Sequence, residues 1–434
     1  MQIERPRYLE KLAARIGNGR IKIITGLRRC GKSYLLKLFK AHLLATGVPA
    51  DRILELSLED LAAARYRDPF ELDRFIRSRV EHATERVFVL LDGIQNVASV
   101  PNPYLPDAGE KITFVDVLLG LMKLPQVDLY VTGSNSKMLS SDIPTQFRDR
   151  GDEIRVNTCS FSEFRSVYEG DPRLAWPEYR TYGGLPAVLQ LATPADKIEY
   201  LKTLFANTYL PDILERHDLR GSKEVLNALL DLIASSTGTP TNPTQIAHAL
   251  KTERGASVAP ATVAAYLDYL EEAFLIEKVQ RYDVKSRKHL STPAEYYFTD
   301  VGLRNARLNF RQQEESHSME NALYMDLRRR GLSVDVGDIP LYGKNAAGKT
   351  VLKHLEVDFV ANRGGRRWYV QSALSLDSEA RRKEVREPLL RAGDMFPKIV
   401  VLGGPVLPRF DELGILYTGI EEFLTNEALF EGPF

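Results

Sequence analysis

Eight residues, GLRRCGKS at Gly26–Ser33, constrain this chain more than any others. They match the pattern G-x-x-x-x-G-K-S/T. They follow a short apolar run ending in glycine, IKIITG (Ile21–Gly26), and precede Ser33–Leu44, where Leu35, Leu36, Leu38 and Phe39 supply one apolar helical face. A strand, a glycine-bearing turn and a helix N-terminus make a cradle of backbone N–H groups for phosphate, and the helix end adds positive potential. The sequence therefore predicts that Gly26, Leu27, Arg28, Arg29, Cys30, Gly31, Lys32 and Ser33 hold the phosphates of ATP. Lys32 reaches the β- and γ-phosphates and Ser33 binds Mg²⁺. A second Gly-Lys-Thr, at Gly348–Thr350, has no strand before it and reads as loop.

The flanking text alternates strand and helix, which predicts a parallel α/β sheet. Strand candidates are Ile53–Leu58, the apolar run before Asp92, Asp128–Asn135 and Glu153–Ser160. Helix patterns cover residues 8–17, Phe70–His82 and Thr113–Met122. In VFVLLDGIQNV (Val87–Val97) the acid at the strand end, Asp92, is the expected Mg²⁺ partner. The next residue, Gly93, has no side chain to take a proton from water, so binding is expected to outlast hydrolysis. A carboxylate restored at position 93 would raise turnover. Glu59 or Asp60, just past the second strand, is the candidate substitute base. Asn135, at the next strand end, is placed to sense the γ-phosphate, and Arg148 and Arg150 to reach an ATP on a neighbouring subunit.

Composition excludes several classes. Across 434 residues the 58 Lys and Arg balance 58 Asp and Glu, so nucleic-acid binding would need a local basic patch. Two cysteines, Cys30 and Cys159, indicate no disulfide framework and fit a reducing cytoplasm. The start, MQIERPRYLEKL, lacks the apolar core of a signal peptide, and no apolar run approaches a membrane span.

The order of LLDGIQNV, TGSNSKML, FRDRGDEI, SFSEF, YGGLPAVL and DILERHDL resembles a bacterial and archaeal family of AAA+-type ATPases. In that family an AAA_14 domain is followed by a DUF4143 region. The likeness covers nearly the whole chain. It implies a D-E-I-Q motif where this chain reads Asp92-Gly93-Ile94-Gln95, and an L-R-G-R motif matched by Phe147-Arg148-Asp149-Arg150. The turn GGLP resembles one that presses a proline on adenine in related ATPases, which points to Pro186.

Downstream, Thr244–Leu250 and Pro260–Ala273 have helix-turn-helix spacing. Two strands then flank a basic tip with Lys285, Arg287, Lys288 and His289, which predicts a winged helix contacting DNA phosphates. Acidic Asp268, Glu271 and Glu272 on the second helix suit a protein partner instead. SMENALYMDLRRRG, LEVDF and WYVQSALSL resemble a PD-(D/E)XK nuclease domain that keeps Glu320 and Asp358. The E-x-K position reads Gln371-Ser372-Ala373, so metal binding and water orientation are lost, and Glu320 and Asp358 are expected as solvated or hydrogen-bonding groups. The predicted organisation is a P-loop domain (1–160), a helical lid (161–222), a winged helix (223–308) and a degenerate nuclease-like α/β domain (309–434). The predicted activity is an ATP-dependent, DNA-linked switch that assembles as a homo-oligomer. The rivals are an ATP-stabilised interaction scaffold and an ATP-dependent nuclease.

Overall fold

The structure, a computed structural model, describes residues 3–105, 109–133, 147, 149–219, 221–311, 314–344 and 350–431. The chain forms two compact units: Gln2–Thr158 with Glu272–Phe274, and Cys159–Glu271 with Leu275–Phe434.

The first unit is built on five strands, β1 (Ile21–Thr25), β2 (Ile53–Ser57), β3 (Val87–Asp92), β4 (Val127–Thr132) and β5 (Gly151–Arg155). Their order is β2-β3-β4-β1-β5 and every pairing is parallel. Parallel strands covered on both faces lose any polar alternation, and β1 is buried along its whole length. Helices α3 (Pro69–Val80) and α4 (Phe114–Leu121) bury Leu72, Ile76, Val117 and Leu121 with Ile21, Ile23, Val89 and Val131. Successive strand side chains face opposite ways, so Tyr130 points to the other side. There it meets Phe39 of α2 (Lys32–Ala45), the helix after α1 (Pro6–Ala13), with ring centroids 4.6 Å apart. Helix starts follow the side chains available to cap them. Asp68 accepts from the N–H groups of Phe70 and Glu71, and Thr113 forms a capping box with Asp116. Lys22 and Asp128, both almost fully buried, form an ion pair joining β1 to β4, and Gly17 N donates to the same carboxylate. Because β4 lies between β1 and β3, the C-terminal ends of all three come together at one edge of the sheet.

The second unit opens with a run of helices from Phe161 to Ser235. The expected helix pair follows as α5 (Pro243–Arg254), stopped by Gly255 at φ 67°, and α6 (Pro260–Glu272). The expected hairpin is also present, β6 (Ile276–Asp283) antiparallel to β7 (Lys288–Phe298). It does not stand alone. Strand β8 (Ser333–Lys344) pairs in parallel with β6 through Val336–Asp338. The sheet then continues through β9 (Thr350–Arg363), β10 (Arg366–Ala373), β11 (Lys398–Leu402), β12 (Arg409–Phe410) and β13 (Ile415–Gly419). Its order is β12-β13-β11-β10-β9-β8-β6-β7, so one sheet runs across residue 308. Helix α7 (Glu315–Arg329) packs Leu323 and Tyr324 into a core with Tyr297, Phe359 and Trp368. Among the described residues no helix is long and apolar enough to cross a membrane.

Candidate functional site

The loop after β1 turns directly into α2, whose N-cap is Gly31 at φ 102°, so unpaired helical N–H groups face the strand end. Gly26 sits at φ 133°, and a β-carbon there would lie 2.1 Å from the carbonyl oxygen of Val156. No other residue fits that approach. The buried Cys30 thiol donates to the same carbonyl at 3.2 Å, which ties the loop to the segment after β5. The Lys32 ammonium, also buried, lies over the loop and donates to the carbonyls of Gly26 (2.9 Å) and Leu27 (3.0 Å).

Ser33 Oγ donates to Asp92 Oδ1 at 2.9 Å. Thr132, at the end of β4, donates its hydroxyl to the same oxygen and accepts from the Gly93 N–H at 3.0 Å. The structure thus brings Lys32, Ser33 and Asp92 together around one cavity. Thr132 is an addition. In the text of TGSNS nothing separates it from its polar neighbours, and only the parallel register of β3 with β4 brings it opposite Asp92. These side chains line a cavity of about 320 Å³ that also includes Arg28, Tyr34, Glu59 and Gln95. A hydroxyl and a carboxylate side by side are hard oxygen donors of the kind Mg²⁺ takes, the remaining ligands being water and phosphate. Among the described residues no group of three or more His, Cys, Asp or Glu side chains is arranged to hold a metal ion.

Gly93 adopts φ 74° and ψ 41°, the left-handed region. A β-carbon there would lie 2.7 Å from Glu59 Cγ and 3.0 Å from Asn96 Nδ2. The expectation that a carboxylate could simply be restored at this position is therefore corrected. The backbone disfavours any side chain there, and Glu59 fills the space. The two candidate substitutes also separate. Asp60 caps the turn at Leu61–Arg67, accepting from Ala62 N at 3.0 Å, whereas Glu59 lines the cavity.

Asn135 and Arg148 lie outside the described residues. Arg150 is exposed, and its carbonyl accepts from Ile21 N at 2.9 Å. Pro186 belongs to the second unit and is partly buried beside the fully buried Leu185. At the β6–β7 turn Lys285, Arg287 and Lys288 are all exposed, and Lys285 Nζ donates to the Pro340 carbonyl at 3.3 Å.

In the second unit Glu320 and Asp358 are partly buried and hydrogen-bonded rather than solvated. Asp358 accepts from Ser372 N (2.7 Å) and Ser372 Oγ (2.6 Å) and from the Gln371 amide, while Ala373 is buried. The amide at position 371 is thus a donor to the carboxylate. Burial pushes Asp358 up to about 6 despite the Ser372 bonds. Burial, together with the charges of Asp358 and Glu295, holds Glu320 well above the usual carboxylate range.

A family model described as an AAA domain matches residues 18–165, and one described as a domain of unknown function, DUF8612, matches residues 173–314. The latter falls where the sequence resemblance led us to expect a DUF4143 region. An uncharacterized protein of Haemophilus influenzae is 30% identical over 406 residues, 92% of this chain and 93% of that protein. An uncharacterized protein of Methanocaldococcus jannaschii is 24% identical over 387 residues, 85% of this chain and 77% of that protein. Among solved structures, a Walker-type ATPase of Pyrococcus abyssi is similar at 16% identity with a TM-score of 0.46, covering 71% of this chain and 96% of that one.

Proposed function

Because the chain belongs to the AAA_14 family of AAA-type P-loop ATPases, we propose that it is an ATP-operated switch coupled to DNA. The observation that carries this reading is the meeting of Lys32, Ser33 and Asp92 around one cavity at the edge of a parallel sheet. In our reading residues 26–33 wrap the phosphates. Lys32 turns from the loop carbonyls to the β- and γ-oxygens, and Ser33 and Asp92 hold Mg²⁺, which when bound neutralises phosphate charge. Gly93 itself offers no base, so turnover depends on a carboxylate supplied from elsewhere in the cavity. Asn135 senses the γ-phosphate. Arg148 and Arg150 reach the ATP of a neighbouring copy in a homo-oligomer. We read residues 161–222, which include Pro186, as a helical lid.

We read 223–308 as a winged helix whose Lys285, Arg287 and Lys288 contact DNA phosphates. We read 309–434 as a nuclease-like relic in which Gln371 and Ala373 leave no hydrolytic centre. A cytoplasmic setting fits this chemistry. A second reading, an ATP-stabilised protein scaffold, is favoured by exposed Asp268 on α6, an acid on the face that would meet DNA.

Calorimetry tests the premise. The full chain is expected to bind Mg·ATP, and Lys32→Ala to lose that binding because the cation facing the phosphates is gone. Equal affinity in the two proteins would overturn the site.

A further inference from the structure

We propose that Glu59 is the carboxylate that takes a proton from the water attacking the γ-phosphate. This rests on the ATP-binding reading above and names the group that the sequence motif lacks. Among the described residues lining the cavity, the acids are Glu59 and Asp92. Asp92 is engaged, since its Oδ1 accepts from both Ser33 and Thr132. Glu59 receives a long contact, 3.4 Å, from Gln95 Nε2. Glu59 is otherwise exposed and lines the polar cavity, where a base can accept a proton.

Its place is built rather than incidental. Leu58, fully buried, donates its N–H to the Asp92 carbonyl at 2.8 Å, which locks the end of β2 to the end of β3. Arg67 then donates to three successive carbonyls, those of Leu58 (2.9 Å), Glu59 (3.0 Å) and Asp60 (3.3 Å). From this clamped backbone the Glu59 side chain crosses beside the Cα of Gly93. A β-carbon at position 93 would come within 2.7 Å of its Cγ and 3.5 Å of its Cδ. Glycine at 93 therefore has a positive use, since it leaves the path along which Glu59 enters the site.

The step balances without further reagents. The water oxygen bonds to the γ-phosphorus while the bond from that phosphorus to the bridging oxygen of ADP breaks, and its electron pair leaves with ADP. One water proton passes to the Glu59 carboxylate and is later lost to solvent. The products are ADP and inorganic phosphate.

The test compares the full chain with Glu59→Gln and Glu59→Asp. Three quantities are read: ATP affinity by calorimetry, phosphate release, and the identity of the nucleotide retained on the protein after incubation with Mg·ATP. Glu59→Gln is expected to bind ATP as the parent does, to release phosphate about 10²–10⁴-fold more slowly, and to retain ATP where the parent retains ADP. Glu59→Asp, with a carboxylate one methylene shorter, should keep measurable turnover. Three outcomes would overturn the assignment: phosphate release in Glu59→Gln equal to the parent, loss of ATP affinity in Glu59→Gln, or a parent that binds ATP and never hydrolyses it. A parent that fails to bind ATP overturns the nucleotide reading itself, a separate result.

Discussion

Gly93 and Glu59 share one volume, and that sharing can be measured. Gly93→Ala puts a β-carbon on a backbone at φ 74° and 2.7 Å from Glu59 Cγ. A left-handed conformation costs a residue with a side chain about 1–2 kcal/mol, and Glu59 must also move. Gly93→Ala is expected to lower stability by about that amount and to slow phosphate release, with ATP affinity retained. In a Glu59→Ala background the collision with Glu59 is gone while the backbone cost and the 3.0 Å approach to Asn96 Nδ2 remain, so the stability effects should be non-additive. Urea unfolding of the four proteins gives that coupling, and strict additivity would show that the two residues do not compete for space. The residues of this site were unequally legible. Gly26–Ser33 are contiguous, and Asp92 ends an apolar run, so local text revealed them. Asp60 and Glu59 are adjacent acids that text cannot rank; the capping bond that engages Asp60 with Ala62 N and the place of Glu59 in the cavity lining rank them. Thr132 is set by register alone.

At the scale of elements, α5, α6 and the β6–β7 hairpin were legible because each has a local cause. Pro243 and Pro260 open the helices, Gly255 ends α5, and Lys285, Ser286 and Arg287 make the turn that follows buried Val284 polar. The parallel pairing of β8 with β6 was not legible. It joins Val336–Asp338 to Arg281–Asp283, more than fifty residues apart, and periodicity carries no information about partners at that distance. The same pairing makes the hairpin an edge of a large sheet, which anchors the basic turn on a rigid base. A duplex contact there is expected to be electrostatic and indifferent to sequence. Alanine at Lys285, Arg287 and Lys288 together should weaken binding of all duplexes alike and lower the magnitude of the salt slope by about three, one for each phosphate lost. Titration of labelled duplex across salt concentrations checks this, and an unchanged slope would move the contact elsewhere or favour the scaffold reading.

For the whole molecule, two units imply two separate levers on stability. Nucleotide is expected to act on the first. At about a hundred times its dissociation constant, ATP should raise that unit's stability by about 2.7 kcal/mol. Protons act on the second. The Tyr297 hydroxyl lies within hydrogen-bond distance of Glu295 Oε2 (2.8 Å) and Glu320 Oε1 (2.5 Å). Two carboxyls thus share one phenolic donor in a buried setting, where desolvation favours their neutral forms. Burial raises Glu295, reinforced by Glu356 and Asp358 and opposed by Arg281, just as it raises Glu320 and takes Asp358 to about 6. A carboxyl raised in the folded state binds more protons there than in the unfolded chain, so stability falls as pH rises. The contribution is complete below the ordinary carboxylate range near pH 4 and is lost on passing through about 6 for Asp358, and higher still for Glu320. Scanning calorimetry should show two transitions, as separate units allow. ATP should raise one of them, and moving from about pH 5 to about pH 8 should lower the other. Glu320→Gln, which keeps an oxygen for Tyr297 and cannot ionise, should reduce the pH shift and leave the ATP shift intact. A single transition moved by both ATP and pH would mean that the units unfold together, and a pH shift unchanged in Glu320→Gln would remove this carboxyl from the cause.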